Sequence, residues 1–324
     1  MNRRLVHLLQ QNRSKLQEQY GIFWRITGIA SRRLGWLVEP DGFDPAIVLN
    51  SSLQLSKGHS CADVREWLRA AHSHVLFEAT SLNAKTGEPG IDHIRAALQL
   101  GAHAITANKG PVVHAYEELR DLAARQGRSF LFESTVMDGV PVFSSFRENL
   151  PLIEVKGFRG ILNSTTNVIL SGMEEGLSFE ESLKRAQKIG VAETDPTDDI
   201  EGWDATVKVA ALVRVVMQAP IAVDKIDRHG IRALTADAVR AARAAGDPYK
   251  LVCRASRSGG TISASVRPEQ VPLGDPLAHV AGTSSIVYFE TDMFPGLAIT
   301  EIDPGLDATA YGMLSDFVKA VAAK

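Results

Sequence analysis

Short apolar runs alternate with amphipathic helical patterns along the first part of the chain. The apolar runs predict strands at residues 24–30, 74–79, 103–106 and 129–133. Helical periodicity predicts helices at residues 3–20, 61–72 and 91–100, and a further helix that ends at residue 124. Residues 39–60, with their Gly, Pro and Ser, are predicted to form a surface excursion. Strands and helices that alternate at this spacing indicate an α/β fold with a doubly wound parallel sheet.

Polar residues stand at the predicted carboxyl ends of these strands. Thr80 and Ser81 follow one strand, Lys109 lies in the turn after the next strand, and Glu133 ends the last one. Ligands of doubly wound sheets bind at the carboxyl ends of the strands, so these positions predict a ligand site.

The strand at residues 24–30 is followed by Ser31, Arg32 and Arg33. As the second strand of a dinucleotide-binding fold it would have a basic tip, which suits the ribose 2′-phosphate of NADP, whereas an acidic residue would favour the free hydroxyl of NAD. Arginines at the end of a strand are also commonly just solvated. The residues themselves leave both interpretations open.

The pattern changes from residue 155 onward. A strand at residues 155–161 leads into a run of small hydrogen-bonding side chains at residues 162–167 (LNSTTN), and strand-like segments separated by Gly and Pro fill residues 250–300. We predict an α+β arrangement with a mainly antiparallel sheet for this half. A last amphipathic helix is predicted at residues 309–323.

The most acidic stretch of the chain, at residues 190–208, is the strongest candidate for chemistry. It contains Glu193, Asp195, Asp198, Asp199, Glu201 and Asp204, and it ends at Lys208. We predict a helix that Asp198 caps together with Glu201, on which Asp204 and Lys208 share a face. A lysine and a carboxylate at the wet end of a buried helix suit a small zwitterion. The alternative is an exposed ion pair worth at most about 0.5 kcal/mol.

Composition bounds the classes of function. The chain has 324 residues, enough for two domains, with a net charge of −3 and no excess of positive charge that would bind nucleic acid or anionic lipid. Two distant cysteines and no CxxC argue against a disulfide framework or a zinc cluster and favour the cytoplasm. The most apolar segment, at residues 207–223, is interrupted by Lys208 and Arg214, so no membrane span is expected.

Several motifs, in order, resemble homoserine dehydrogenase in its short form without a C-terminal regulatory module. They are TANKGP (106–111), FESTVMDG (132–139), GILNSTTNVIL (160–170), the stretch at 190–208, and PGLDATAYG (304–312). The resemblance covers essentially the whole chain. It implies NAD(P)-dependent interconversion of L-homoserine and L-aspartate 4-semialdehyde in threonine, methionine and isoleucine biosynthesis, by a homodimer or homotetramer. It also implies a Rossmann-like domain at residues 1–138 plus 303–324 and a catalytic and dimerisation domain at 139–302.

The resemblance assigns roles to individual residues. It implies that Lys208 is the proton donor and that Lys109 lies between nicotinamide and substrate. It also implies that acids of the 190–208 stretch bind the substrate. Loop 133–138 matches a sodium site of the family, although Glu133 alone would also serve to cap a turn. The candidate residues are Lys208 and Lys109 for catalysis; Glu193, Asp199 and Asp204 for the substrate; Arg32, Arg33, Thr80, Ser81, Lys109 and Gly305 for the cofactor; and Glu133, Val136 and Asp138 for sodium.

The start of the chain departs from the family pattern. The family opens with a strand and a G-x-G-x-x-G-like turn that carries the pyrophosphate, and residues 1–3 correspond to the end of that turn. The expected sheet therefore lacks its first strand and glycine loop, and weak or absent NADPH binding is expected, whether the start was assigned too late or the loss is real. Three hypotheses remain: the active enzyme, a cofactor-deficient homologue that acts as a binding or assembly subunit, and a dehydrogenase of another amino-acid aldehyde.

Overall fold

The computed structural model describes residues 2–50, 61–305 and 307–322. The chain divides into two compact units, Met1–Pro141 with Leu306–Lys324, and Val142–Gly305. The strands are β1 (Ile26–Ser31), β2 (Gly35–Phe43), β3 (Val75–Glu78), β4 (His103–Thr106), β5 (Phe130–Leu131), β6 (Val155–Ile161), β7 (Asp227–Arg228), β8 (Tyr249–Ser258), β9 (Thr261–Gln270), β10 (Ser285–Thr291) and β11 (Leu297–Glu301).

The helices follow the same chain order. They are α1 (Asn2–Gln11), α2 (Arg13–Tyr20), α3 (Pro45–Leu49), α4 (Val64–Ala70), α5 (Gly90–Gln99), α6 (Lys109–Arg125), α7 (Val142–Ser144), α8 (Ser164–Glu174), α9 (Phe179–Lys188), α10 (Thr197–Ile200), α11 (Trp203–Val215), α12 (Ala236–Ala245) and α13 (Ala308–Val321).

A parallel sheet in the order β3-β4-β5 forms the centre of the first unit. Glu78 at the end of β3 lies in register with Thr106 at the end of β4. Parallel strands connected through helices α5 and α6 confirm the α/β prediction for this half. The register also brings the residues that follow β3 and β4 to the same edge of the sheet.

The basic residues Arg32 and Arg33 lie in a hairpin turn, and the prediction that their strand joins the parallel sheet is wrong. β1 pairs antiparallel with β2 in a separate two-stranded sheet. The Ser31 hydroxyl accepts the Leu34 N–H at 3.0 Å, and Gly35 closes the turn in the left-handed conformation, with φ 65°. The three-residue loop at 32–34 is thus followed by a glycine that adopts the left-handed conformation without steric cost, and this turn was not predicted.

Two further predictions need correction. Part of the predicted surface excursion is regular structure, because β2 reaches Phe43 and α3 follows it; residues 51–60 lie outside the described residues. The predicted single helix at 3–20 is two helices that meet at Asn12, whose side-chain amide donates to the Leu8 carbonyl at 2.9 Å. Asparagine competes in this way for backbone partners and weakens a helix interior. Gly21 ends α2 in the left-handed conformation.

Helix α13 returns to the first unit and completes its core. Met313 and Phe317 pack with Ile105 of β4 and with Leu5 and Leu9 of α1, all of them buried. Each such side chain contributes roughly 1.5–3 kcal/mol on burial. The last amphipathic helix of the sequence is therefore a structural part of the first unit.

The second unit is built on a six-stranded sheet in the order β11-β10-β6-β8-β9-β7. All neighbouring strands pair antiparallel except β7 and β9, which confirms the mainly antiparallel prediction. Helices α8 and α11 pack against β8. Among the residues that the structure describes, no helix is both long and apolar enough to cross a lipid bilayer.

A close backbone approach joins α13 to the turn at residues 133–139. A Cβ atom on Gly312 would lie 2.3 Å from the Ser134 hydroxyl and 2.8 Å from Gly139 Cα. Alanine in a helix interior is favoured over glycine by about 1 kcal/mol, whereas overpacking costs about 1–3 kcal/mol. The steric cost therefore outweighs the gain in helix propensity.

We predict that Gly312→Ala lowers the melting temperature, measured by scanning calorimetry, by several degrees. Gly274→Ala is the matched control, because a Cβ at Gly274 would meet no atom within 4 Å. A melting temperature of Gly312→Ala at or above that of the wild type would contradict the close approach.

Candidate active site

The acidic stretch contains two helices rather than one. Asp198 lies within α10, and α11 starts after Gly202, which adopts φ 79°. The prediction that Asp198 caps the helix carrying Lys208 is therefore wrong. The left-handed conformation of Gly202 separates α10 from α11. Residues other than glycine adopt this conformation only at a steric cost. As a result Asp199 and Asp204 come from two different helices.

Lys208 is half-buried and held on two sides. Its Nζ donates to the Leu162 carbonyl at 2.6 Å, beyond the end of β6, and lies 3.3 Å from Asp204 Oδ2, one turn earlier on α11. The exposed fractions of the two side chains are 16% and 20%. The alternative of an exposed surface ion pair is therefore excluded, because both groups have partners inside the unit.

Asn163 joins the two helices of the acidic stretch. Its Nδ2 donates to Asp199 Oδ1 at 2.6 Å and to Asp204 Oδ2 at 3.0 Å, while its Oδ1 accepts the Thr166 N–H at 2.9 Å as the N-cap of α8. We call Asn163, Asp199, Asp204 and Lys208 the Lys208 cluster. Asn163 was not among the predicted site residues, although its place in the LNSTTN run was the available signal.

Two like charges meet in the Lys208 cluster. Burial and, secondly, the neighbouring Asp204 raise the pKa of Asp199, and hydrogen bonds from Asn163 and Thr165 together with the Lys208 charge partly oppose this rise. A cationic group beside both carboxylates would relieve the repulsion. The cluster is therefore suited to bind a substrate ammonium.

Glu193 is placed differently from the other two predicted substrate-binding acids. The residue is exposed, and its backbone carbonyl accepts the Gln187 side-chain amide at 3.2 Å. Asp199 and Asp204, by contrast, share Asn163 as a donor. The structure brings these two predicted acids together with Lys208 and leaves Glu193 on the surface of the unit.

A buried thiol lies behind the Lys208 cluster. Cys253 of β8 pairs with Gly160 of the neighbouring β6, and burial raises its pKa to about 12 despite the nearby Lys208 charge. A thiol with this pKa stays protonated at neutral pH and is inert as a nucleophile. Cys253 is therefore an uncharged side chain next to the Lys208 cluster.

The junction between α10 and α11 is held from the side of β7. The Arg228 guanidinium lies 3.8 Å from the centroid of the Trp203 ring and donates to the Glu201 carbonyl. Arg232 adds an ion pair with Glu201 at 2.6 Å. These contacts could not be predicted from local pattern, because Arg228 and Arg232 lie more than twenty residues beyond the junction.

The predicted cofactor-binding residues of the first unit partly converge. Arg32 Nη2 donates to the Ser81 hydroxyl at 3.1 Å, so the hairpin turn lies beside the loop after β3. Lys109 is the first residue of α6, at the end of β4. Gly305 belongs to the second unit, and a Cβ there would meet no atom within 4 Å.

The predicted sodium residues follow β5 in the first unit. The Asp138 carboxylate accepts the Thr309 hydroxyl at 2.5 Å, and Glu133 Oε2 lies 4.0 Å from the Lys319 ammonium. Among the described residues, no group of three or more His, Cys, Asp or Glu side chains is arranged to hold a metal ion. A cation here would depend on backbone carbonyls, and the sodium site stays a prediction.

Comparisons with known proteins agree with one another. Residues 141–318 match the family described as Homoserine dehydrogenase. The chain is 33% identical over 325 residues to the NAD(+)-dependent homoserine dehydrogenase of Pseudomonas canavaninivorans, covering 98% of this chain and 92% of that protein.

Solved structures give the same result. The structure of an Archaeoglobus fulgidus protein assigned to homoserine dehydrogenase superposes with a TM-score of 0.86 at 32% identity, covering 99% of this chain and 96% of the other. A hyperthermophilic archaeal homoserine dehydrogenase mutant in complex with NADPH superposes with a TM-score of 0.80 at 26% identity, covering 98% and 93%. The chain therefore belongs to the homoserine dehydrogenase family.

Proposed function

We propose that this protein is an NAD(P)-dependent homoserine dehydrogenase that interconverts L-homoserine and L-aspartate 4-semialdehyde in the biosynthesis of threonine, methionine and isoleucine. The observation that carries the proposal is the Lys208 cluster, which combines a half-buried ammonium with two carboxylates. Membership in the family supports the enzyme and gives no support to a cofactor-deficient assembly subunit.

The acids bind the substrate through its α-ammonium group. Asp199 and Asp204 supply anionic oxygens whose positions are fixed by Asn163, and Glu193 contributes from the exposed start of the acidic stretch. Preorganised carboxylates need no rearrangement when the ammonium arrives, so binding energy is not spent on ordering them. This division of roles makes Asp199 and Asp204 the main anchors.

Lys208 supplies the proton. Reduction of the aldehyde develops an alkoxide, which an ammonium stabilises by its charge and then protonates. The Leu162 carbonyl and Asp204 hold Lys208 Nζ in one place. In the reverse direction the neutral amine takes the proton from the homoserine hydroxyl. Lys109 is proposed as a second catalytic residue.

The residues of the first unit fit a nicotinamide dinucleotide, which supplies the hydride when bound. Arg32, held beside Ser81, and Arg33 would hold a ribose 2′-phosphate, with Thr80 and Ser81 at the end of β3. Gly305 is proposed as a further contact of the cofactor; among the described residues, no atom lies within 4 Å of the position that its Cβ would take. We therefore propose NADP as the preferred cofactor, and Glu133, Val136 and Asp138 as the loop that would bind sodium.

A homodimer is proposed as the form of the enzyme in the cytoplasm. β11 is the last strand at one end of the six-stranded sheet. Leu152, Met293 and Phe294 are exposed on two adjacent turns. A hydrogen bond joins these turns, because the Glu154 N–H donates to Asp292 Oδ1 at 2.9 Å. An edge strand beside exposed apolar residues favours association.

The direct test is Lys208→Ala. Loss of the proton donor should lower kcat by about 100-fold or more, while L-homoserine still binds in isothermal titration calorimetry because the acids remain. Lys184→Ala, at an exposed position of α9, is the matched control. Retention of more than about a tenth of the wild-type kcat would reject the role of Lys208.

Asp199→Asn should raise the KM for homoserine by about tenfold or more, since a hydrogen bond to a charged group is lost. In the wild type the KM should rise as pH falls through the raised pKa of Asp199, and this dependence should vanish in the variant. Asp198→Asn, one residue earlier on α10, is the control.

Asp199→Asn should also change how the stability of the folded protein depends on pH, and the sign of this change follows from the raised pKa of Asp199. Because the folded-state pKa of Asp199 is raised, the folded protein binds its proton more tightly than the unfolded chain, and stability is lost as pH rises through that pKa. The melting temperature of Asp199→Asn relative to wild type should therefore increase from about pH 4 to pH 8. A constant difference would contradict the buried like-charge pair.

Replacing both Arg32 and Arg33 by alanine should weaken NADPH binding by about tenfold or more, and leave NADH binding nearly unchanged. Fluorescence titration of each cofactor measures the two dissociation constants. Arg125→Ala, exposed on α6, is the control. Equal losses for both cofactors would show that the arginines support the fold instead.

A further inference from the structure

The first unit contains a buried carboxylate that the proposed chemistry does not use. Glu78 ends β3 and is 2% exposed. Its Oε1 accepts the Thr80 N–H at 2.8 Å and the Thr80 hydroxyl, and its Oε2 accepts the Thr106 hydroxyl at 2.8 Å. All three donors are neutral groups, so the carboxylate is held by hydrogen bonds that join the ends of two neighbouring strands.

Asn108 closes this arrangement into a ring. Its backbone N–H donates to the Thr106 hydroxyl at 2.9 Å, and its Nδ2 lies 3.4 Å from the Thr80 hydroxyl. Its Oδ1 accepts the Gly110 N–H at 3.0 Å and so caps α6. We call Glu78, Thr80, Thr106 and Asn108 the Glu78 network.

The Glu78 carboxylate accepts the hydroxyl protons of both Thr80 and Thr106. Because each hydroxyl donates its one proton to the carboxylate, the two threonine oxygens are left as acceptors for Asn108. Asn108 then donates to both hydroxyls and keeps its Oδ1 for the helix cap. The orientation of the Asn108 amide therefore follows from the carboxylate.

The network is packed as well as bonded. A Cβ on Gly90, the first residue of α5, would lie 2.9 Å from Asn108 Nδ2 and 3.3 Å from Glu78 Oε2. The start of α5 thus covers the ring directly. The position of Asn108 is therefore fixed by contacts with the ends of β3 and β4 and with the start of α5. Lys109 is the next residue along the chain.

We propose that Glu78 is a positioning residue that sets the location of Lys109, acting through Thr106 and the Asn108 cap. This inference rests on the catalytic role proposed for Lys109. Glu78 itself touches no substrate; it fixes the peptide from which the Lys109 side chain extends. A displacement of about 1 Å at such a position is enough to cost up to 100-fold in rate.

The test is a double-mutant cycle in the full-length enzyme. In Glu78→Gln the amide would direct a donor at a threonine hydroxyl that also accepts from Asn108, leaving a buried proton without an acceptor. We expect kcat to fall about tenfold or more in the wild-type background and less than about twofold in the Lys109→Ala background, since effects that act through one group are not additive. Glu18→Gln, exposed on α2 of the same unit, is the matched control.

A second pair of variants tests the same proposal in case Glu78→Gln does not fold. Thr106→Val removes the hydroxyl at constant shape, whereas Thr106→Ser keeps it. The valine variant should reproduce the loss in kcat and the serine variant should restore it, with the KM for homoserine nearly unchanged in both.

The outcomes separate the two proposals. Wild-type kcat in Glu78→Gln, or an equal loss with and without Lys109, would overturn the positioning role of Glu78 and leave the role of Lys109 intact. An unchanged kcat in Lys109→Ala would reject the role proposed for Lys109, and this inference with it.

Discussion

Two carboxylates held against one amide are the constraint on which the second unit depends. Asp199 and Asp204 repel each other, and burial removes the water that would screen them, which is why the pKa of Asp199 is raised. Two hydrogen bonds from Asn163 oppose this, each worth about 1.5–3 kcal/mol because its acceptor is charged. The left-handed Gly202 and the Arg228 contact with Trp203 keep the two helices in the required relation. The proposed substrate ammonium would reduce this repulsion when it binds beside the two carboxylates.

The sequence could predict what depends on local pattern. The parallel strands β3 and β4, the antiparallel sheet of the second half and the pairing of Asp204 with Lys208 follow from periodicity and spacing, and the structure agrees. The break at Gly202 and the hairpin that carries Arg32 were missed because each depends on one glycine with positive φ, and a glycine alone does not announce that conformation.

Contacts between distant parts of the chain were beyond prediction. Asn163 meets Asp199 across 36 residues, and Glu78 meets Thr106 across 28. The local pattern marks the LNSTTN run and the acidic stretch as polar segments, but it does not indicate which of their residues meet. The resemblance to a family indicated Lys208 and the acids as candidates, but the residues that hold them in place became visible only with the fold.

The two units use the same device to hold their polar residues. Asn163 and Asn108 are both N-caps: each side-chain oxygen accepts a backbone N–H of its own helix, Thr166 in α8 and Gly110 in α6. Each Nδ2 then donates away from the helix, to Asp199 and Asp204 in one unit and towards Thr80 in the other.

Asparagine is the cap residue that permits this arrangement. Aspartate and serine cap helices equally well, but an ionised aspartate has no donor, and beside Asp199 and Asp204 it would add a third negative charge. A serine hydroxyl has one proton and a short reach, so it cannot donate to two carboxylates while capping. The amide supplies an acceptor for the helix and two donors for the site in one rigid plane. In both units, the residue that starts a helix therefore also fixes the polar groups beside it.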